Sequence, residues 1–408
     1  MEEWKLTKIG SLCKRVCSGG TPKSTIEEYF GGGIPWLNTK EVNFNRIYST
    51  ESTISDAGLN NSSAKWIDKH SVIVAMYGAT AAKCAIGMIP MTTNQACCNL
   101  MVDENLADYR FIYYALTNSY STLASLANGG AQQNLNAQLI KDFEIPLPDL
   151  HTQHRIADIL TSIDDKIENN NRINDNLEQQ AQALYKSWFV DFEPFKNGKF
   201  IDSELGLIPE GWKIGKINDV INLLSGFPFK SSAFQENGDY QLITIKGVQD
   251  GYLDVTSADM LSSLPSKMPQ YCILNIGDIL ISLTGNVGRI CIVDRKNLLL
   301  NQRVAILSPK NIRDSFYVYT MFRSESMKNE LIHIARGTAQ LNLSPIETGE
   351  KLTVIPPDSI LEAFAKVGKG TFNQYISLKM ENIRLMEMRD SLLPKLMSGE
   401  LNINEIDC

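Results

Sequence analysis

The sequence predicts an α+β chain built as two tandem lobes in pseudo-twofold relation, each followed by a long helix, with the two helices packed as an antiparallel coiled coil. Three observations carry this. The chain is 408 residues long, enough for two or three separate cores. Its second half repeats the order of motifs of its first half. Each half then closes on a run with a four-three apolar rhythm.

Composition sets the class. Apolar residues make up 43% and charged residues 21%, as in ordinary globular proteins. The opening MEEWKLTK has no apolar core, which argues against a signal peptide. The most lipid-like stretch, VIVAMYGATAAKCAIGMIPM (72–91), contains Lys83, two glycines and Pro90, so two buried strands joined by a Gly-containing turn fit better than a membrane span. The 8 cysteines form no Cys-x-x-Cys pair, and His151 and His154 lack a ligand set, so free thiols in a reducing cytoplasm and no metal are expected. Net charge is −7, much of it in the connecting segment 151–211, which neither requires nor excludes a nucleic-acid partner.

The first lobe, residues 1–150, opens on WKLTKI, and the second, 212–358, opens on WKIGKI, placing Trp4 over Trp212. SGGTPKS (18–24) is echoed by SGFPFKS (225–231), and WLNTKEV (36–42) by LITIKGV (242–248). VIVAMYGATAAK (72–83) matches ILISLTGNVGR (279–289), with Lys83 near Arg289. TNQA (93–96) matches LNQR (300–303), GGAQQNLN (129–136) matches GTAQLNLS (337–344), and PLPD (146–149) matches IPPD (355–358). Such order at nearly constant offset is a duplication. Within each lobe, VIVAMY and ILISLT read as buried strands, and YRFIYYAL (109–116) and SFYVYTMF (315–322) as aromatic helices.

The first spacer helix, residues 151–190, runs without Pro or Gly over 152–189, with Pro148 as breaker and Thr152 as cap. Its seam is Ile156, Leu160, Ile163, Ile167, Asn170, Asn174, Leu177, Ala181, Leu184 and Trp188, apolar with a polar middle. The second, residues 359–398, keeps the register as Phe364, Gly368, Thr371, Tyr375, Leu378, Asn382, Leu385, Arg389, Leu392 and Leu396. Gly368 and Gly370 each cost about 1 kcal/mol relative to Ala, so a bend or fraying is expected there. A helix of this length spans about 57 Å. The linker 191–211, rich in Gly, Pro and acid, is expected to lead the chain back along the helices, and 399–408 forms a tail.

Paired lobes on a spacer suit a two-part target such as duplex DNA. Asn38, Thr39 and Lys40, with Thr244 and Lys246, follow apolar runs and are expected at strand ends. Asn94 and Gln95 recur as Asn301 and Gln302, and Gln133 as Gln340; side-chain amides grip adenine, while Lys and Arg take phosphate or guanine. The competing reading of the repeated Asn-Gln pair is a buried turn whose amides satisfy backbone groups. Residues shared by both lobes serve a shared fold, and two readers of different sequences should differ where they touch bases, which favours the unmatched loops 43–66 and 249–270. Lys83 and Arg289 are offered as phosphate contacts, against a surface salt bridge. GATAAK (78–83) and GNVGR (285–289) do not fit a phosphate loop, and Glu362 and Lys366 after Pro357-Asp358 lack nuclease spacing. No catalytic residue is proposed.

These features together resemble one family. The doubled openings, NQA and NQR, SWFVDFEPF (187–195), DSELGLIPEGW (202–212) and LLPKLMSGEL (392–401) look like the specificity subunit of type I restriction–modification systems, over essentially the whole chain. The resemblance implies that each lobe is a target recognition domain for half of a bipartite double-stranded DNA site, in a cytoplasmic complex. It implies two modification subunits, docked on the coil, that bring S-adenosylmethionine and methylate adenine. It also implies restriction subunits that add ATP- and Mg-dependent translocation and cleavage, with no cofactor bound by this chain. The alternatives are a self-contained DNA-modifying enzyme and a coiled-coil interaction scaffold.

Overall fold

The computed structural model describes residues 4–127, 135–337 and 341–401. Internal contacts divide the chain into two units, Met1–Ile167 with Leu385–Cys408, and Glu168–Arg384.

In the first unit, β-branched runs that can bury both faces make the central strands. Val72–Ala75 is buried throughout and pairs antiparallel with Cys84–Gly87 on one side and Cys97–Val102 on the other. The full order of this sheet is Cys13–Ser18, Cys97–Val102, Val72–Ala75, Cys84–Gly87, Asn45–Ile47. A second sheet runs Ser52–Ile54, Phe30–Leu37, Met91–Thr93, Trp66–Ile67, and Lys5–Lys8 pairs with Glu144–Leu147. Helices α1 (Asp56–Asn60), α2 (Tyr109–Asn118), α3 (Tyr120–Ala127) and α4 (Ala137–Asp142) complete the lobe.

The second unit repeats this order with one edge strand fewer in each of its two main sheets, the counterparts of Asn45–Ile47 and Trp66–Ile67. Ile221–Ser225, Val304–Pro309, Ile279–Ser282 and Ile290–Ile292 form its main sheet. Met260–Leu261, Tyr240–Ile243 and Leu298–Leu300 form the second, and Lys213–Lys216 pairs with Leu352–Ile355. Its helices are α6 (Ser315–Arg323), α7 (Glu325–Ile334) and α8 (Pro345–Glu350). The duplication read from motifs is thus a duplication of strand order.

The two long helices are α5 (Leu150–Phe189) and α9 (Asp358–Met397). Asp149, rather than Thr152, caps α5: its carboxylate accepts from the Thr152 backbone N–H at 3.0 Å and hydroxyl at 2.7 Å. These bonds hold the Asp149 carboxyl below its ordinary pKa. Pairing of the two helices is antiparallel in both units. In the first, Ile156, Ala157 and Leu160 share a core with Leu393, Leu396 and Met397, and Arg389 donates to Asp164 at 3.0 Å. In the second, Asn170 donates to Asn382 at 2.9 Å and Trp188 meets Phe364 edge-on with centroids 5.5 Å apart.

Of the seam residues, Ile156, Leu160, Ile163, Phe364, Tyr375 and Leu396 are buried. Ile167, Leu177, Leu184, Trp188, Leu378, Leu385 and Leu392 are half-buried, while Tyr185, Phe189 and Leu393, next to Leu184, Trp188 and Leu392, are buried. The buried line moves over by one residue toward each C-terminus because a straight helix drifts about 20° per heptad against a 3.5-residue repeat.

Each lobe core is closed by the far end of a helix. Trp212 is buried against Phe189, Phe192 and Phe195, at centroid distances of 5.8, 5.3 and 5.2 Å. Trp4 packs on the core that holds Leu396 and Met397, and an added Cβ at Gly399 would lie 3.3 Å from its ring. The linker does not lead back along the helices. It folds as a hairpin, Phe200–Ser203 with Gly206–Pro209, whose Ile208 enters the core that Phe189 and Trp212 share. Apolar residues decide this, since each buried large side chain contributes about 1.5–3 kcal/mol.

The Gly368–Gly370 segment neither ends nor breaks α9. Gly368 is the floor of a ring contact: a Cβ there would fall 1.9 Å from the Phe316 ring, which stacks on Phe364 at 5.0 Å. Gly370 has open space around its Cβ position. Opposite outcomes follow in thermal denaturation. Gly368→Ala should lower stability by about 1–3 kcal/mol through overpacking, whereas Gly370→Ala should raise it by up to about 1 kcal/mol.

Candidate nucleic-acid interface

The repeated blocks converge on one edge of each lobe. In the first, Asn94 N–H donates to the Leu37 carbonyl at 2.9 Å, Gly20 N–H to Thr93 at 2.8 Å, and Met76 N–H to Ala96 at 2.8 Å. The Thr80 hydroxyl donates to the Thr39 carbonyl at 3.0 Å. The loops around Gly20, Thr39, Gly78 and Gln95 therefore meet. In the second lobe, Asn301 N–H donates to the Ile243 carbonyl at 3.1 Å, Gln302 N–H to Phe227 at 3.1 Å, and Leu283 N–H to Arg303 at 3.0 Å. The same four loops meet there. Glycine permits the approach: a Cβ on Gly19 would lie 2.2 Å from the Thr93 carbonyl, and one on Gly226 would lie 2.2 Å from that of Asn301.

The candidate residues on these edges differ in what their side chains do. Asn38 caps the short turn Thr39–Glu41, accepting from Lys40 N–H at 3.2 Å while Glu41 accepts from Asn38 N–H at 2.9 Å. Lys40 is exposed and ion-paired with Glu51 at 2.6 Å. Asn94 is buried, its side-chain oxygen accepting from Ala96 N–H at 3.1 Å and the Cys97 thiol at 3.3 Å, which is the structural alternative drawn from the sequence. Gln95 is exposed and accepts from the Thr21 hydroxyl. Thr244 accepts from Lys246 N–H at 3.3 Å.

Lys83 and Arg289 are engaged within their own lobes. Lys83 donates to Asn43 at 2.7 Å and Arg289 to Gln249 at 2.6 Å, in each case the turn that follows the WLNTKEV or LITIKGV block. Gln133 and Gln340 lie outside the described residues.

On the second lobe, exposed Lys246 and Gln302 have no side-chain partner among the described residues, and the same holds for Arg303. Arg303 was not singled out from the sequence, although it is the last position of the TNQA and LNQR blocks, where the lobes differ. Its counterpart Ala96 is buried. Among the described residues the seven cysteines are free thiols, no cluster of His, Cys, Asp or Glu could hold a metal, and no helix is long and apolar enough to cross a membrane.

Comparison with known proteins agrees with this architecture. The family model for the type I restriction modification DNA specificity domain matches residues 1–179 and 209–358. The type I restriction enzyme MjaIX specificity subunit of Methanocaldococcus jannaschii is 30% identical over 99% of this chain and 95% of its own length. The HindI specificity subunit of Haemophilus influenzae is 24% identical over 98% of this chain and 100% of its own. The fold is similar to the crystal structure of a type I restriction–modification S subunit from M. genitalium, with TM-score 0.57, 20% identity and 96% of both chains covered. The chain belongs to the DNA-specificity subunits of type I restriction–modification systems. That assignment sets aside the self-contained enzyme and the scaffold.

The two kinds of edge residue separate by stability. Asn94→Ala leaves the Ala96 N–H unsatisfied and should cost about 1–3 kcal/mol in thermal denaturation. Gln302→Ala should stay within about 0.5 kcal/mol of the parent.

Proposed function

We propose that each lobe presents its loop edge to one half of a bipartite duplex site and that the α5–α9 pair sets the spacing between the halves. The observation that carries this reading is a common loop edge filled differently in the two lobes. Ala96 stands where the second lobe has Arg303, and Glu41 where it has Gly247. Shared backbone bonds build the edge, and the differing side chains give each half its own sequence. Arg303 suits bidentate contact with guanine O6 and N7, Gln302 suits adenine, and Lys246 suits phosphate.

The chain itself performs no chemistry in this reading. Two modification subunits, docked on the coiled coil, supply S-adenosylmethionine and methylate adenine. Restriction subunits supply ATP- and Mg-dependent translocation and cleavage. The complex acts in the cytoplasm, where chromosomal DNA is accessible.

Mapping methylated adenines after Arg303→Ala tests the assignment of halves. One position of the second half-site should become degenerate, with a loss of about 1–3 kcal/mol of discrimination there. The first half should stay unchanged; degeneracy in the first half, or in neither, would contradict the reading.

A further inference from the structure

The turn Gln249–Tyr252 of the second lobe is held by side chains from α9, α6 and α7, and through Arg323 by Glu178 of α5. The Gly251 carbonyl accepts from the Tyr375 hydroxyl at 3.1 Å and from the Lys379 ammonium at 2.9 Å, both on α9. Asp250 is ion-paired with Arg323 on α6 and with Lys328 on α7, the latter at 3.1 Å. Arg323 also donates to Glu178 on α5 at 3.1 Å, and Glu178 accepts from the Tyr319 hydroxyl at 2.6 Å. Lys379 lies 4.8 Å over the Tyr375 ring, and burial lowers its pKa. An added Cβ at Gly251, which has φ +88°, would come within 3.2 Å of the Arg323 guanidinium.

The same turn joins the loop edge. Gln249 donates to the Lys246 carbonyl at 2.6 Å and accepts from Arg289, whose segment begins at Gly285 on that edge. A continuous set of contacts thus leads from the exposed edge through the turn to both helices. Buried charges of this kind add little net stability against an apolar replacement, so what they contribute is a fixed geometry.

The first lobe fastens the equivalent turn with other residues. Phe44 occupies the place of Gly251: each has positive φ, and each donates its N–H at 2.8 Å, to the Cys84 and Ile290 carbonyls respectively. Arg46, just beyond, is ion-paired with Asp165 on α5. Tyr114 donates to Asp164 at 2.6 Å, and Asp164 accepts from Arg389 on α9, as Tyr319, Glu178 and Arg323 do in the second lobe. Both lobes thus tie this turn to a long helix by polar contacts, the first to α5 through Arg46 and Asp165 and the second to α9 through Tyr375 and Lys379, which marks a constraint on geometry beyond general packing.

We propose that Glu178, Arg323, Tyr375 and Lys379 are positioning residues that clasp the Gln249–Tyr252 turn to the helix pair and thereby fix the angle at which the second lobe presents its reading edge, making the complex strict about the spacing between half-sites. This rests on the bipartite reading above. The clasp touches no base: it limits which spacer lengths allow both edges to engage at once.

The test uses the full chain assembled with its partner subunits. Binding is measured to duplexes that carry both half-sites at every spacer length, and to duplexes that carry the second half-site alone. Glu178→Gln and Lys379→Met are compared with the parent, with Lys379→Arg as the conservative variant and thermal denaturation as the control for folding. The parent should favour one spacer. In the two disruptive variants, preference over spacers one base pair longer or shorter should fall about tenfold, the factor that 1.4 kcal/mol represents. Affinity for the second half-site alone should hold within about twofold, and Lys379→Arg should restore much of the preference. Folded variants that keep the parent's spacer preference would overturn the clasp and leave the bipartite reading standing. Loss of affinity for the isolated half-site in equal measure would also overturn it, by making these residues part of the reading surface. A parent with no spacer preference would overturn the bipartite reading and the clasp with it.

Discussion

A layer of buried amides in the middle of the helix pair fixes which residues of α5 face which residues of α9. Asn170 donates to Asn382 and to Glu381, each at 2.9 Å, and Asn382 donates to Asn171 at 2.8 Å. The side-chain oxygens of Asn170 and Asn174 are buried without a hydrogen-bond partner among the described residues. Such groups cost stability, of order 1–3 kcal/mol each. An apolar layer would bind more tightly but would tolerate sliding by a turn or a heptad. A polar layer inside an apolar seam has one good register, because any shift strands amides against hydrocarbon. Register then decides the rest. It sets Trp188 on Phe364 in the second unit, and Leu393 and Met397 beside Ile156 and Leu160 in the first.

The same register explains why a chain of this kind opens twice on a tryptophan. Neither lobe closes its core with its own strands and short helices. Trp212 needs Phe189 at the end of α5, and Trp4 needs the end of α9 beyond Leu396. A duplicated half whose final helix completes the other half's core couples lobe folding to helix pairing. The loop edges are then free to vary, since their backbone bonds come from shared glycines and strand ends. Two sets of residues that differ between the lobes bear on recognition: exposed side chains on the edge, such as Arg303, and the charged clasp beneath the turn.

Much of this was legible in the sequence. Motif order gave the duplicated strand order, and the four-three rhythm gave both long helices, because each is a local or regularly spaced signal. What escaped depended on contacts between distant segments. Gly368 reads as a helix defect until Phe316 is known to sit on it. Lys83 and Arg289 read as phosphate contacts or surface ion pairs because Asn43 and Gln249, their uncharged partners, lie 40 residues upstream in both lobes. Thr152 suited a cap by type, but Asp149 precedes the first helical turn and its carboxylate reaches two donors of Thr152. The linker carried a signal that went unread: Gly206 and Gly211 both take positive φ, at the turn of the hairpin and at its exit toward Trp212. Arg303 was visible in the same way, as a mismatch inside a matched block.

The central claim, that the registered helix pair spaces two reading edges, is tested most directly by lengthening the pair without altering its seam. Seven residues, one heptad of the same pattern, are inserted into α5 and seven into α9 on the same side of the asparagine layer, and methylated sites are mapped with the assembled complex. At 1.5 Å per residue the pair grows by about 10 Å, or about three base pairs of duplex. The account predicts both half-sites unchanged with the spacer longer by about three base pairs. Methylation at the original spacer, by a chain shown to be folded, would contradict it.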